Sequence, residues 1–217
     1  MKTIGFTIMM LFVASIIFAE NNKFEKVMIE QISLVYEAST VDEYQQVINT
    51  LERIGSAESN KWEPFYYASF ANVMISTKVG QMSEKDRYLD IAQIFLDKAN
   101  ALNANNVEII TLQGFIHTMR LAADPGTRGQ QYSELVFNTY NKALKIDPNN
   151  PRALIMLAQM KEGMARFFGS DTTEACEMAN KALAAFDAYE IKNILSPAWG
   201  NSNAISMTER CNKLVEE

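Results

Sequence analysis

The feature that most constrains this chain is that it repeats itself. The string Lys98-Ala99-Asn100-Ala101-Leu102-Asn103-Ala104-Asn105-Asn106-Val107 returns 44 positions later as Lys142-Ala143-Leu144-Lys145-Ile146-Asp147-Pro148-Asn149-Asn150-Pro151. The lysine, the alanine and the Asn-Asn pair match, and so does the helix-to-turn pattern around them. Lys181-Ala182-Leu183 gives a third helix end, and Asn60-Lys61-Trp62 occupies the place of Asn105-Asn106-Val107 one unit earlier. Self-similarity at a period of 40 to 45 residues marks units that cannot bury their apolar faces alone and so must stack.

Within each unit the apolar spacing is helical. Phe24, Val27, Met28, Ile32 and Val35 fall on one face over 24–38, and Tyr44, Val47, Ile48, Leu51 and Ile54 do so over 41–54. Further helices are predicted over 62–77, 84–102, 107–122, 130–146, 151–168, 172–185 and 206–215. Thr40 before Asp42 and Glu43 reads as a cap with an acidic first turn. Pro151 suits a first turn, where its missing N–H is not needed. Nothing alternates with period two, so almost no strand is predicted.

The string Lys142 to Ala153 resembles the junction between two tetratricopeptide repeat (TPR) motifs. Ala143 matches the small residue near the end of the second helix, and Pro148 the proline that stops it. Leu154, Leu157 and Ala158 stand where that family places its large, leucine and small residues. Ile110, Gln113 and Gly114 stand there one unit earlier, with Gln113 departing from the leucine, and Phe65, Ala68 and Ser69 one unit before that. The units exceed the usual ~34 residues, and the surplus is placed between paired helices, around 79–86 and 124–130. With Asp124 to Gly129 and Pro197-Ala198-Trp199-Gly200, the chain is also similar to small exported TPR-like proteins of Bacteroidetes bacteria. The resemblance implies an all-α, right-handed α-solenoid of about four helical hairpins, the first, over 24–54, acting as a cap.

Three regions are expected: a signal peptide over 1–19, a TPR-like helical repeat domain over 20–188, and an irregular arm with a C-terminal capping helix over 189–217. Lys2, the apolar run Ile4 to Phe18 and the small Ala19 form the signal pattern. That run is shorter than the ~20 residues that cross a bilayer comfortably. A periplasmic or secreted location follows, with no membrane span after cleavage. The formal net charge of −6, without a basic stripe, argues against nucleic acid as a partner.

Chemistry-bearing constellations are sparse. The one histidine, His117, lies inside a helix, and no zinc spacing, phosphate loop or calcium loop appears. No enzyme activity, cofactor or metal is expected. The Asp147-Pro148-Asn149-Asn150 string reads as a helix-ending turn rather than a calcium loop.

The resemblance instead implies a groove lined by the first helices of successive units. By position it comprises Glu63, Tyr66, Phe70 and Met74, then Glu108, Thr111, Phe115 and Met119, then Arg152, Ile155 and Gln159. A protein or peptide partner of unknown identity is the first reading, since aromatic and methionine side chains suit an apolar or extended ligand. The alternative is a small-molecule or solute-binding component of an envelope uptake system.

Two expectations concern the C-terminus. Trp199 is expected to dock on the last hairpin and seal its open end. Cys176 and Cys211 are the only cysteines. They can form one disulfide stapling the cap to the repeats, or remain two buried thiols.

Overall fold

The computed structural model describes residues 23–190 and 193–216, with side chains as far as Lys213. The expected signal segment over 1–19 lies outside the described residues, as do the side chains of Leu214 and Val215. Among the described residues the chain forms nine helices and no strand. They are α1 (23–37), α2 (Val41–Ala57), α3 (Glu63–Ser76), α4 (Met82–Leu102), α5 (Val107–Ala123), α6 (Pro125–Ile146), α7 (Pro151–Phe168), α8 (Thr173–Asp187) and α9 (Asn201–Glu216).

Local chemistry fixes many of the starts. Thr40 and Glu43 form a reciprocal capping box at α2. Asn106 and Asn150, the second residue of each Asn-Asn pair, cap α5 and α7 with their side-chain oxygens. Asn105 sits at φ +62°, a left-handed conformation that asparagine tolerates better than most residues.

One predicted gap is shortened and the other is absent. Residues 77–81 join α3 to α4, which begins at Met82, so only the latter part of 79–86 is helical; α6 begins at Pro125, so α5 and α6 meet at the single residue Asp124. Asp124 accepts from the Thr127 amide while Pro125 fills the first turn, and this offsets the helix-weakening effect of Gly126 and Gly129. The long units therefore come from long second helices, 21 residues in α4 and 22 in α6. The irregular arm is also shorter than expected, since α9 starts at Asn201 rather than 206.

Each helix from α2 to α8 touches its successor, α8 and α9 included, although the irregular arm separates those two in sequence. In addition α3 touches α5, α5 touches α7, and α7 touches α9. The odd-numbered helices from α3 to α9 thus form a continuous row, and among the described residues no two even-numbered helices touch. Ala143 is fully buried beside Ile110 and Ala153, where α5, α6 and α7 converge. At Gly114 the ring of Tyr140 occupies the space a Cβ would take, so α5 and α6 approach more closely than a side chain there allows. Gly55 gives the ring of Phe65 the same room, with a Cβ built there only 2.7 Å from Cζ.

Candidate functional site

The row of odd helices carries the residues expected to line the groove, and the structure brings them together on adjacent elements. It also lays the chain's own arm over them. Trp199 inserts between Phe70 of α3 and Phe115 of α5, stacked on each at 5.6 Å with interplanar angles of 24° and 28°. Its indole N–H donates to the Tyr66 hydroxyl at 2.9 Å. Tyr67 donates to the Leu195 carbonyl at 2.9 Å, and the Ala198 amide donates to the Tyr36 hydroxyl at 3.0 Å. Trp199 therefore does not seal the last hairpin. The ready-made aromatic slot between α3 and α5 offers it two stacking faces and a hydrogen-bond acceptor together.

Gly200 completes this path at φ +101°. A Cβ there would lie 3.1 Å from the Phe186 ring and 3.3 Å from Arg152 Cγ, so both conformation and space call for glycine.

Seven of the expected groove residues are buried: Glu63, Tyr66, Phe70, Glu108, Thr111, Arg152 and Ile155. A groove lined by all eleven is thus not an open surface. Arg152, 1% exposed, is held by Glu108 through two hydrogen bonds of 2.7 and 2.8 Å. Asn150 adds a third to the same carboxylate at 2.7 Å. Burial opposes the charge on Arg152, but Glu108 more than offsets it and holds the guanidinium pKa above its usual value. The Tyr36, Tyr66 and Tyr67 hydroxyls are pushed up chiefly by burial, so all three are neutral donors and acceptors near neutral pH.

Four expected residues stay partly accessible: Met74, Phe115, Met119 and Gln159. Met74, Met119 and Gln159 each lie one helical turn beyond Phe70, Phe115 and Ile155 respectively. They form a row across α3, α5 and α7, edged by half-buried Trp199. Further along the same face of α7, Glu162 receives Arg166 at 2.8 Å and Arg210 of α9 at 3.0 Å. Two guanidiniums around one carboxylate leave that end of the row locally positive. Arg210 went unnoticed in the sequence, because only the α7–α9 contact brings it there.

His117 is elsewhere. It is half-buried on α5, its Nε2 3.2 Å from Gln113 Nε2 and its ring 6.1 Å from that of Tyr132 on α6. Burial, followed by the nearby Arg120 charge, lowers its pKa. Among the described residues no group of three or more His, Cys, Asp or Glu side chains could hold a metal ion, and no helix is long and apolar enough to cross a membrane. Cys176 of α8 and Cys211 of α9 are joined as a disulfide, with Cα atoms 5.7 Å apart.

No family model matches the chain, and no curated protein matches it. Solved structures do match. Over nearly its whole length the chain is similar to the HusA haemophore from Porphyromonas gingivalis, with 26% identity and a TM-score of 0.78 over 89% of this chain and 95% of that one. The likeness thus supports a small all-helical binding protein.

Proposed function

We propose that this chain is an exported carrier of a flat, apolar small molecule of the tetrapyrrole class, held on the row formed by Met74, Phe115 and Met119 beside Trp199. The likeness to a haemophore across almost the full length of both chains carries this reading. The row supplies what such a ligand needs: polarisable thioethers and aromatic rings for its face. Arg166 and Arg210, at the locally positive end of α7, suit the carboxylates at its edge. The succession of hairpins with a continuous row of first helices is read as a TPR-type stack that presents this face.

Recognition rests on the ring system rather than on iron. The sequence has one histidine, and it faces the α5–α6 seam. Metal-free protoporphyrin IX and haem are therefore both expected to bind, each followed by its Soret band. Met119→Asp places a charge where the ring system lies and should abolish the Soret change for both. Binding of haem alone, lost on removing iron, would refute face recognition.

A second reading, an extended peptide in the buried half of the groove, is favoured by what that half already holds. The segment over 195–199 lies there in irregular conformation, fixed through its own backbone carbonyl and amide by Tyr67 and Tyr36. A partner peptide would have to displace it.

A further inference from the structure

At the opposite end of the odd helices, where α3, α5 and α7 begin, the chain encloses an open cleft of about 940 Å³. Its makeup differs from that of the methionine row. Two half-buried aromatics line it: Trp62 before α3 and Tyr189 after α8. The Arg152 guanidinium lies 4.8 Å from the Tyr189 ring centroid and backs that ring.

Between the aromatics lie side-chain amides from the inter-helix turns. Local turns occupy their oxygens and leave donors over: Asn106 Oδ1 receives the Glu108 and Ile109 amides, and Asn193 Oδ1 receives the Leu195 amide, while neither Nδ2 is engaged among the described residues. Among the described residues the side chain of Asn149 makes no hydrogen bond, and its backbone amide donates to Asp147.

Charge decides among ligand classes. The lining carries three carboxylates, Glu108, Asp147 and Glu190, against one ammonium, Lys181. Glu108 is neutralised by Arg152, and Lys181 is pinned on the Pro148 carbonyl at 3.2 Å. What remains is close to neutral or slightly negative. A phosphate or other anion finds no unopposed cation among the described lining residues, and the metal-ligand grouping is absent there too. Aromatic faces attract the weakly positive C–H faces of a pyranose ring, and planar amides and carboxylates pair with its hydroxyls. We infer that this cleft is a binding site for a neutral oligosaccharide, with Trp62 and Tyr189 as stacking platforms and Asn106, Asn149 and Asn193 as hydroxyl partners.

The test screens the full chain, after signal removal, against an array of neutral oligosaccharides (glucans, mannans, xylans and galactans) with sulfated and uronate-bearing glycans alongside. Hits are measured by calorimetry. At least one neutral series should bind. Tyr189→Ala should weaken it by roughly tenfold or more, the usual effect of losing an aromatic anchor, while protoporphyrin binding is unchanged. Asn149→Ala should weaken it as well, and because that side chain supports no part of the fold it decides the matter if Tyr189→Ala fails to fold. Silence across the neutral array, binding confined to sulfated or uronate-bearing glycans, or undiminished binding by Asn149→Ala would each overturn the inference.

Discussion

Arg152 shows how one residue can join the arm, the repeats and the end cleft. It is buried with Glu108 and Asn150 below, the Tyr189 ring beside it and the close approach of Gly200 above. Removing one partner of such a pair strands a charge out of water, whereas replacing both with apolar groups costs far less. Glu108→Gln is therefore expected to destabilise the protein by about 3–5 kcal/mol, and Glu108→Leu with Arg152→Met to recover most of it. Equilibrium denaturation of the single and double variants checks this.

Gly114 tests packing with no charge involved. Alanine is the better helix former by about 1 kcal/mol, yet its Cβ would fall within the ring of Tyr140, which is fully buried and hydrogen-bonded to Thr118 at 3.1 Å. Overpacking should prevail, with Gly114→Ala less stable by about 1–3 kcal/mol in thermal melts. Gly114 was legible in the sequence as the small position of a repeat. The burial of Arg152 was not, because nothing local in Pro151-Arg152-Ala153 reveals that Glu108, 44 positions earlier, lies opposite.

At the scale of elements, caps were the most readable feature. The Glu43 carboxyl is held down to about 2 by the Ser39 and Thr40 backbone amides, then by their hydroxyls. A pKa depressed from an ordinary 4.5 means that the cap's contribution is complete above about 4.5 and is lost as pH falls from there through 2. The Ser39 and Thr40 amide resonances should titrate with a midpoint near 2, and in Glu43→Gln they should stay flat across that window.

The arm was less legible. Its composition showed that Trp199 must be buried, but its destination depends on a slot assembled from Phe70 and Phe115, which lie far away in the chain. The Asp-Pro start of α6 was misjudged because Gly126 and Gly129 suggested a loop, although a capping aspartate before proline is itself a helix start. The disulfide ties α9, and so the end of the arm, to α8. Closing 35 residues, it is expected to contribute ~3–4 kcal/mol. Cys176→Ser with Cys211→Ser should lower stability by that amount, read by denaturation without reductant.

For the whole molecule, the internal repeat anticipated a row of hairpins, and the described residues are mostly helical with no strand. The groove was legible as a set of positions but not as a surface, since its N-terminal half is filled by the chain's own arm. The accessible half, Met74, Phe115 and Met119 beside Trp199, is where the account places a tetrapyrrole. The most direct measurement is fluorescence titration of Trp62→Phe, which leaves Trp199 as the sole tryptophan, with metal-free protoporphyrin IX. The account expects saturable quenching of Trp199 with a matching Soret shift, both abolished by adding Met119→Asp. Unquenched Trp199 and an unchanged Soret band at saturating porphyrin would contradict it.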